Sequence, residues 1–232
     1  MHENKKIKRL TQIAVIFAVM AVISWNTISR GSGEQPINDD LFDNQIVSDE
    51  WLSLFDGETL DGWEIVRYGG EGEPFVRNGS LILPRAPRGT MTGVCWVGDS
   101  LPAINYVIHY EARRVEGIDI FAALTFPYGN TFATLIFSGW RNMVNGLSSI
   151  DGYDASGNET TQIFSFRNNQ WYPVQLRVTN DSIRATVGHE RVVDLATAGK
   201  DIHLRDDTLD TGLTLWTYHS TGEIRNIRIK KL

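Results

Sequence analysis

The chain has 232 residues and sets 28 carboxylates against 22 Lys and Arg, a net charge of −6. Four of the cations but only one acid fall in the first 29 residues, and the more acidic remainder excludes a nucleic-acid partner, because binding to a phosphate backbone rests on Lys/Arg neutralisation. A hydrophobic share of 42% excludes a disordered bulk, and the single Cys95 excludes an intrachain disulfide, a multi-cysteine zinc site and a four-thiolate iron–sulfur cluster.

The chain opens with Lys5, Lys6, Lys8 and Arg9, followed by an uncharged stretch from Leu10 to Ser29. About 20 such residues make a helix of roughly 30 Å, enough to span a bilayer. Cations before the stretch and almost none after it place the N-terminus in the cytoplasm and export the rest of the chain. We read residues 1–29 as an uncleaved signal anchor. The competing reading is a cleavable signal peptide, for which only weak small-residue pairs such as Val22/Ser24 and Thr27/Ser29 are available. Residues 30–50, polar and with Gly, Ser and Pro, read as a linker. The globular domain is placed at 51–232, a length that one all-β domain accommodates.

Within it no stretch repeats apolar residues with helical period, whereas alternating runs recur between turn signals. Val94-Cys95-Trp96-Val97 is an apolar run that makes Cys95 a small core residue. Tyr106 to Arg113 alternates, with Tyr106, Ile108, Tyr110 and Ala112 on one face and His109, Glu111 and Arg113 on the other. Phe121–Phe126 and Phe132–Phe137 flank Pro127-Tyr-Gly-Asn130, a hairpin loop whose Gly and Asn tolerate positive φ. Tyr172–Val178, Ile183–Val187 and Arg191–Leu195 form a meander, turning at Asn180-Asp181 and Gly188-His189. In the last strand Ile224 lies on one parity and Ile227 and Ile229 on the other, which predicts a β-bulge near Arg225-Asn226. The whole reads as an all-β, two-sheet sandwich.

The segments Leu54-Phe-Asp-Gly-Glu-Thr-Leu-Asp-Gly-Trp63 and Ile224-Arg-Asn-Ile-Arg-Ile-Lys-Lys-Leu232 resemble the two ends of the bacterial 3-keto-disaccharide hydrolase domain family. Gly79-Ser-Leu-Ile-Leu83, Asn169-Gln-Trp-Tyr172 and Gly212 to His219 stand between them in the family's order. The resemblance implies a concanavalin A-like jelly roll, export, and action on carbohydrate, including cleavage of glycosides whose sugar is oxidised at C3. A ketone there acidifies the C2 proton, so a base can remove it and the aglycone can leave by elimination. The chain departs from the family's hydrolase pattern at Thr131 to Trp140, where that pattern has a Glu and a Gln. At Thr217-Tyr218-His219 it keeps only the His of a Q-D-H turn.

The resemblance makes His219 the candidate base. His109 and Glu111, projecting with Arg113 from one strand face, are candidate acid–base groups, and the competing reading is a solvated face with a cross-strand ion pair. The segment from Ser148 to Thr161 gathers Asp151, Asp154, Asn158 and Glu159, oxygen ligands suited to a substrate or to a divalent cation such as Ca²⁺, although the spacing is not that of a calcium loop. The cofactor expectation is a divalent cation, Ca²⁺ or Zn²⁺, with no metal ligands assigned. Trp63, Trp96 and Trp171 are assigned to packing. Trp140, beside Arg141, and Trp216 are candidates to stack on a pyranose ring. Two functions emerge: a membrane-tethered hydrolase of 3-keto-glycosides, or a non-catalytic lectin-like carbohydrate-binding module. An envelope scaffold for other proteins is the third.

Overall fold

The computed structural model describes residues 50–205 and 212–232. The anchor and the linker up to residue 49 lie outside them, and among the described residues no helix is long and apolar enough to cross a membrane.

The strands in chain order are β1 (Leu52–Ser53), β2 (Trp63–Ile65), β3 (Phe75–Arg77), β4 (Ser80–Leu83) and β5 (Met91–Trp96). The middle of the chain supplies β6 (Tyr106–Gly117), β7 (Ala123–Tyr128), β8 (Thr131–Ser138), β9 (Val144–Ser148) and β10 (Gln162–Ile163). The remainder are β11 (Tyr172–Val178), β12 (Ser182–Val187), β13 (Glu190–Ala196), β14 (Thr214–Tyr218) and β15 (Ser220–Lys231). An eight-stranded sheet runs β13-β12-β11-β6-β15-β4-β3, with β1 also paired to β15, and a seven-stranded sheet runs β10-β9-β8-β7-β14-β5-β2. This is the all-β two-sheet sandwich expected from the alternation, with strands exchanged between sheets in the manner of a jelly roll.

The alternation sets what is buried. On β6, Tyr106, Ile108, Tyr110 and Ala112 are fully enclosed, and across from them β11 contributes Val174, Leu176 and Val178. From the seven-stranded sheet come Leu124, Phe126, Leu135 and Leu215. Two tyrosines tie the layers: the Tyr106 hydroxyl donates to the Pro127 carbonyl at 2.5 Å and the Tyr110 hydroxyl to the Ala122 carbonyl at 2.9 Å. Burial pushes both phenols well above their ordinary titration range, so they remain donors.

The meander β11-β12-β13 and the β7-β8 hairpin form where the alternation places them. The bulge in the last strand is also present: Arg225 pairs with Glu111 but Arg228 with His109, and Asn226 takes φ 55°. Two packing assignments differ from the expectation. Cys95 pairs with Thr214 and Glu64 on the outward parity of β5, opposite to the core residue Val94, and is only half-buried. Trp171 lies on the outer surface, its ring under the guanidinium groups of Arg113 at 4.7 Å and Arg225 at 4.2 Å. An apolar run does not by itself say which parity faces in.

Candidate functional site

A cavity of about 610 Å³ opens on the seven-stranded sheet. Its floor is built from outward-facing residues of adjacent strands: Met91, Trp216 and Tyr218 on β5 and β14, and Thr134, Ile136 and Ser148 on β8 and β9. Trp216 is buried and donates from Nε1 to the Thr125 hydroxyl at 3.3 Å. It lies over Gly93, where a Cβ would come 2.9 Å from the Trp216 Cβ and 2.9 Å from the Leu215 carbonyl oxygen, so a side chain at 93 would force β14 itself to shift. The walls come from segments far apart in sequence: Arg88, Gly89 and Thr90, then Asp119 and Ile120, then Trp140, then Arg205.

Trp140 sits on an unusual turn. Ser138, Trp140, Arg141 and Asn142 all have positive φ, a conformation that costs an L-residue roughly 1–2 kcal/mol each. The cost is offset by a hydrogen-bond network. The Ser138 N–H donates to Asn145 Oδ1 at 2.8 Å, and the Asn142 side-chain amide is bound at both ends, donating to the Phe166 carbonyl and accepting the Phe166 N–H, each at 2.9 Å. The Arg141 N–H donates to Asp119 Oδ2 at 3.0 Å. As a result the Trp140 ring is held at the cavity mouth, 39% exposed.

Asp119 is the hinge of this arrangement. It is 7% exposed, its Oδ1 accepts the Ile120 N–H at 3.0 Å, and its backbone exchanges two hydrogen bonds with the Ser220 hydroxyl. Behind it the buried Arg114 guanidinium donates to the Asp119 carbonyl at 3.3 Å, to the Phe166 carbonyl at 2.8 Å and to the Ser138 hydroxyl. Burial lowers the Arg114 pKa from its ordinary value, with Tyr172 and Asp119 opposing the effect.

The structure brings together only part of the expected site. Trp140 and Trp216 line the cavity. Arg141 contributes its backbone N–H to Asp119. His219, at φ 50°, packs edge-on against Tyr218 with ring centroids 4.1 Å apart and stands behind Gly89, where a Cβ would lie 3.3 Å from the imidazole Cε1. It thus adjoins the lining residue Gly89 without being part of the lining.

His109 and Glu111 are on β6, in the other sheet, facing away from the core, and do not converge with His219 on one point. His109 is buried against Trp51, and Glu111 accepts from Arg225 at 2.7 and 2.9 Å and from Asn226 at 2.8 Å. This is the cross-strand ion pair. Burial pushes the Glu111 carboxyl up, but the hydrogen bonds from Arg225 and Asn226 outweigh it and hold the group below the usual glutamate range.

The acidic loop begins at the cavity-lining Ser148, and one of its carboxylates approaches a lining residue. Asp154 stands 3.8 Å from the cavity-lining Arg205. Asp151 and Glu159 are bridged by Lys200, at 3.3 and 2.6 Å. The Asp201 N–H and then Lys200 hold the Asp151 carboxyl below its ordinary value. Asn158 is consumed by the loop itself, donating to the Leu147 and Asp154 carbonyls at 2.7 and 2.9 Å and accepting the Thr160 N–H at 2.9 Å. These side chains thus serve Lys200, Arg205 and the loop itself, and among the described residues no three His, Cys, Asp or Glu side chains gather as a Ca²⁺ or Zn²⁺ donor set. Sequence reasoning missed Asp119, Arg88 and Arg205. Each is a lone charged residue in a connecting segment, and no spacing rule joins them.

Fold and cavity together define a two-sheet β-sandwich with a ligand-sized pocket on one sheet, the pocket lying within the range of small-molecule sites. The fold is similar to that of a Parabacteroides distasonis protein assigned as a glycosyl hydrolase (14% identity, TM-score 0.51, 81% of this chain and 98% of that one). It is also similar to the Crh5 transglycosylase solved with NAG (9% identity, TM-score 0.53, 78% and 83%) and to a Bacillus subtilis protein of unknown function with a galectin-like fold (9% identity, TM-score 0.51, 74% and 90%). No curated protein matches the chain in sequence. The chain belongs to the 3-keto-alpha-glucoside-1,2-lyase-like domain family, whose sequence model matches residues 50–230.

Proposed function

We propose that this protein is an exported, membrane-tethered carbohydrate-active domain that takes a glycoside into the cavity and cleaves substrates whose sugar is oxidised at C3. The observation that carries the reading is the composition of the cavity wall among the described residues: Trp140 as a flat apolar platform, Arg88 and Arg205 as cations, and one carboxylate, Asp119, whose two oxygens already hold backbone N–H groups. Glycosidases that work by paired acids need two carboxyl groups about 5–10 Å apart on either side of the bond. This wall offers instead guanidinium groups suited to an enolate, with the base, His219, next to the wall residue Gly89.

In that reaction His219 takes the C2 proton, and the electron pair moves onto the C3 oxygen as an enolate that a guanidinium stabilises. Collapse of the enolate breaks the C1–O bond, and the departing oxygen takes up a proton. Water then adds at C1 while C2 regains its proton. His109 and Glu111 have no part in this scheme. The family assignment and the cations preceding Leu10–Ser29 support the substrate class and the tether, respectively.

The test is product release by the purified chain from a panel of 3-keto-glycosides and the matching unoxidised disaccharides. Cleavage of the keto sugars alone, abolished in His219→Ala, is expected. The second reading, a lectin-like module, is favoured by the position of His219 behind Gly89, outside the lining itself. Saturable glycoside binding with no product from either panel would establish it in place of the enzyme.

A further inference from the structure

The face of the eight-stranded sheet that points away from the core has a charge opposite to that of the chain. Register sorts its side chains into rows across the strands. One row runs Asp194, Arg184, Arg177, Val107, Lys230, and the next Arg191, Thr186, Gln175, His109, Arg228. A third sets Pro173, Glu111 and Arg225 side by side, and a fourth Arg113, Glu223, Ile82 and Phe75, with Arg77 on the parity of Phe75. Cations thus extend from β13 to β3. The acids of this face are already engaged: Glu111 with Arg225 at 2.7 Å, Glu223 with Arg113 at 2.6 Å, and Asp194 with Arg184 at 3.0 Å and Arg191 at 2.9 Å. What remains outward is net positive, in a chain whose net charge is −6.

A second observation says what lies opposite. Trp51 belongs to this face, with Arg228 at 4.6 Å and Lys230 at 5.0 Å from its ring, and the next residues pair as β1 with the end of β15. The N-terminal part of the chain, with its Leu10–Ser29 run, therefore joins the sandwich beside the most cationic end of the sheet. The stretch of residues 30–50 reaches at most about 75 Å even if fully extended, so a sandwich anchored through it stays near the bilayer.

From these placements we infer that the outer face of the eight-stranded sheet docks on an anionic phospholipid surface next to the anchor. The inference rests on the membrane-tether reading of the proposed function. Anionic headgroups attract basic surfaces by about fivefold in partition per Lys or Arg, within a Debye length of the charge. Docking by this sheet turns the other one, with the cavity, away from the membrane and toward incoming glycosides.

The experiment reconstitutes the full chain into vesicles of phosphatidylcholine alone or with about one third phosphatidylglycerol, a content high enough to set the negative surface potential that attracts basic faces. Acetylation of Lys230 by a soluble reagent is followed by mass spectrometry, with Lys200 on the loop side as internal reference. Lys230 labelling is expected to slow at least about fivefold on the anionic vesicles and to recover in high salt, as screening requires. A double variant, Arg177→Gln with Arg184→Gln, is expected to lose that protection while keeping glycoside binding. Equal labelling on both vesicles overturns the proposal. So does protection by soluble polygalacturonate in place of vesicles, which would make the occupant an acidic polysaccharide. Flotation with neutral vesicles in high salt reads the anchor separately: if it fails, the tether reading falls, and the Lys230 comparison still decides the face.

Discussion

Asp119 connects the chemistry of the cavity to its shape. Both carboxylate oxygens are committed to backbone N–H groups, so replacing it with Ala leaves the buried Ile120 donor unpaired, at about 1–3 kcal/mol, and frees the part-buried Arg141 donor. The turn bearing Trp140 would also lose its attachment. Asp119→Ala is therefore expected to lower both urea resistance and glycoside affinity. Trp140→Ala should separate the two effects: the ring is 39% exposed and packs little, so the melting temperature should hold within the range of surface changes, about ±0.5 kcal/mol. Titration calorimetry with a bound glycoside should meanwhile show Kd rising about tenfold, as for loss of one aromatic contact worth ~1.4 kcal/mol. Unchanged affinity would remove Trp140 from the site.

At the scale of elements, β6 and the bulged β15 are joined across their outer faces by Glu111, Arg225 and Asn226, with Trp171 beneath the two arginines. The Glu111 carboxyl titrates below its ordinary value when folded, in spite of burial, because Arg225 and Asn226 favour the charged form. A depressed folded value means that the stabilisation is complete above the unfolded pKa, about 4.3, and disappears as pH falls through the folded one. Melting curves of the native protein and Glu111→Gln should differ by a constant amount from pH 7 to 5 and approach each other below about pH 4. A gap that persists in acid would show that the pair contributes through packing alone. The turn at residues 138–142 is the other element whose form depends on partners: its left-handed residues are held by Asn142, Asn145 and Asp119, not by local propensity.

For the whole molecule, one aromatic cluster spans the two layers. Phe121, ahead of β7, meets Phe137 at 5.0 Å and Phe166 at 5.9 Å, and Phe166 meets Tyr172 of β11 at 4.9 Å. Phe121→Ala should cost about 3–5 kcal/mol in equilibrium unfolding, because it opens a cavity between sheets that cannot collapse together. A loss under 1 kcal/mol would mean that the sheets are joined elsewhere. The two outer faces then divide the labour: one carries the cavity and the other the cationic rows.

Much of this could be read in advance. The strands at 106–113 and 172–178, the meander, the hairpin at Gly129-Asn130 and the bulge after Arg225 arise from period-two alternation and turn residues, which act between near neighbours in the chain. The family motifs at the two ends are equally local. The site was legible only in pieces. Of the expected residues, Trp216 on β14 and Trp140 on the turn after β8 line the cavity, and His219 stands beside the lining residue Gly89. His109 and Glu111, for which alternation allowed either an acid–base pair or a cross-strand ion pair, fell on the opposite sheet. Alternation tells which residues share a face of a strand, while the order of strands in space, and hence which sheet that face belongs to, is decided by long-range packing of the core. Asp119, Arg88 and Arg205 needed that packing to become neighbours at all.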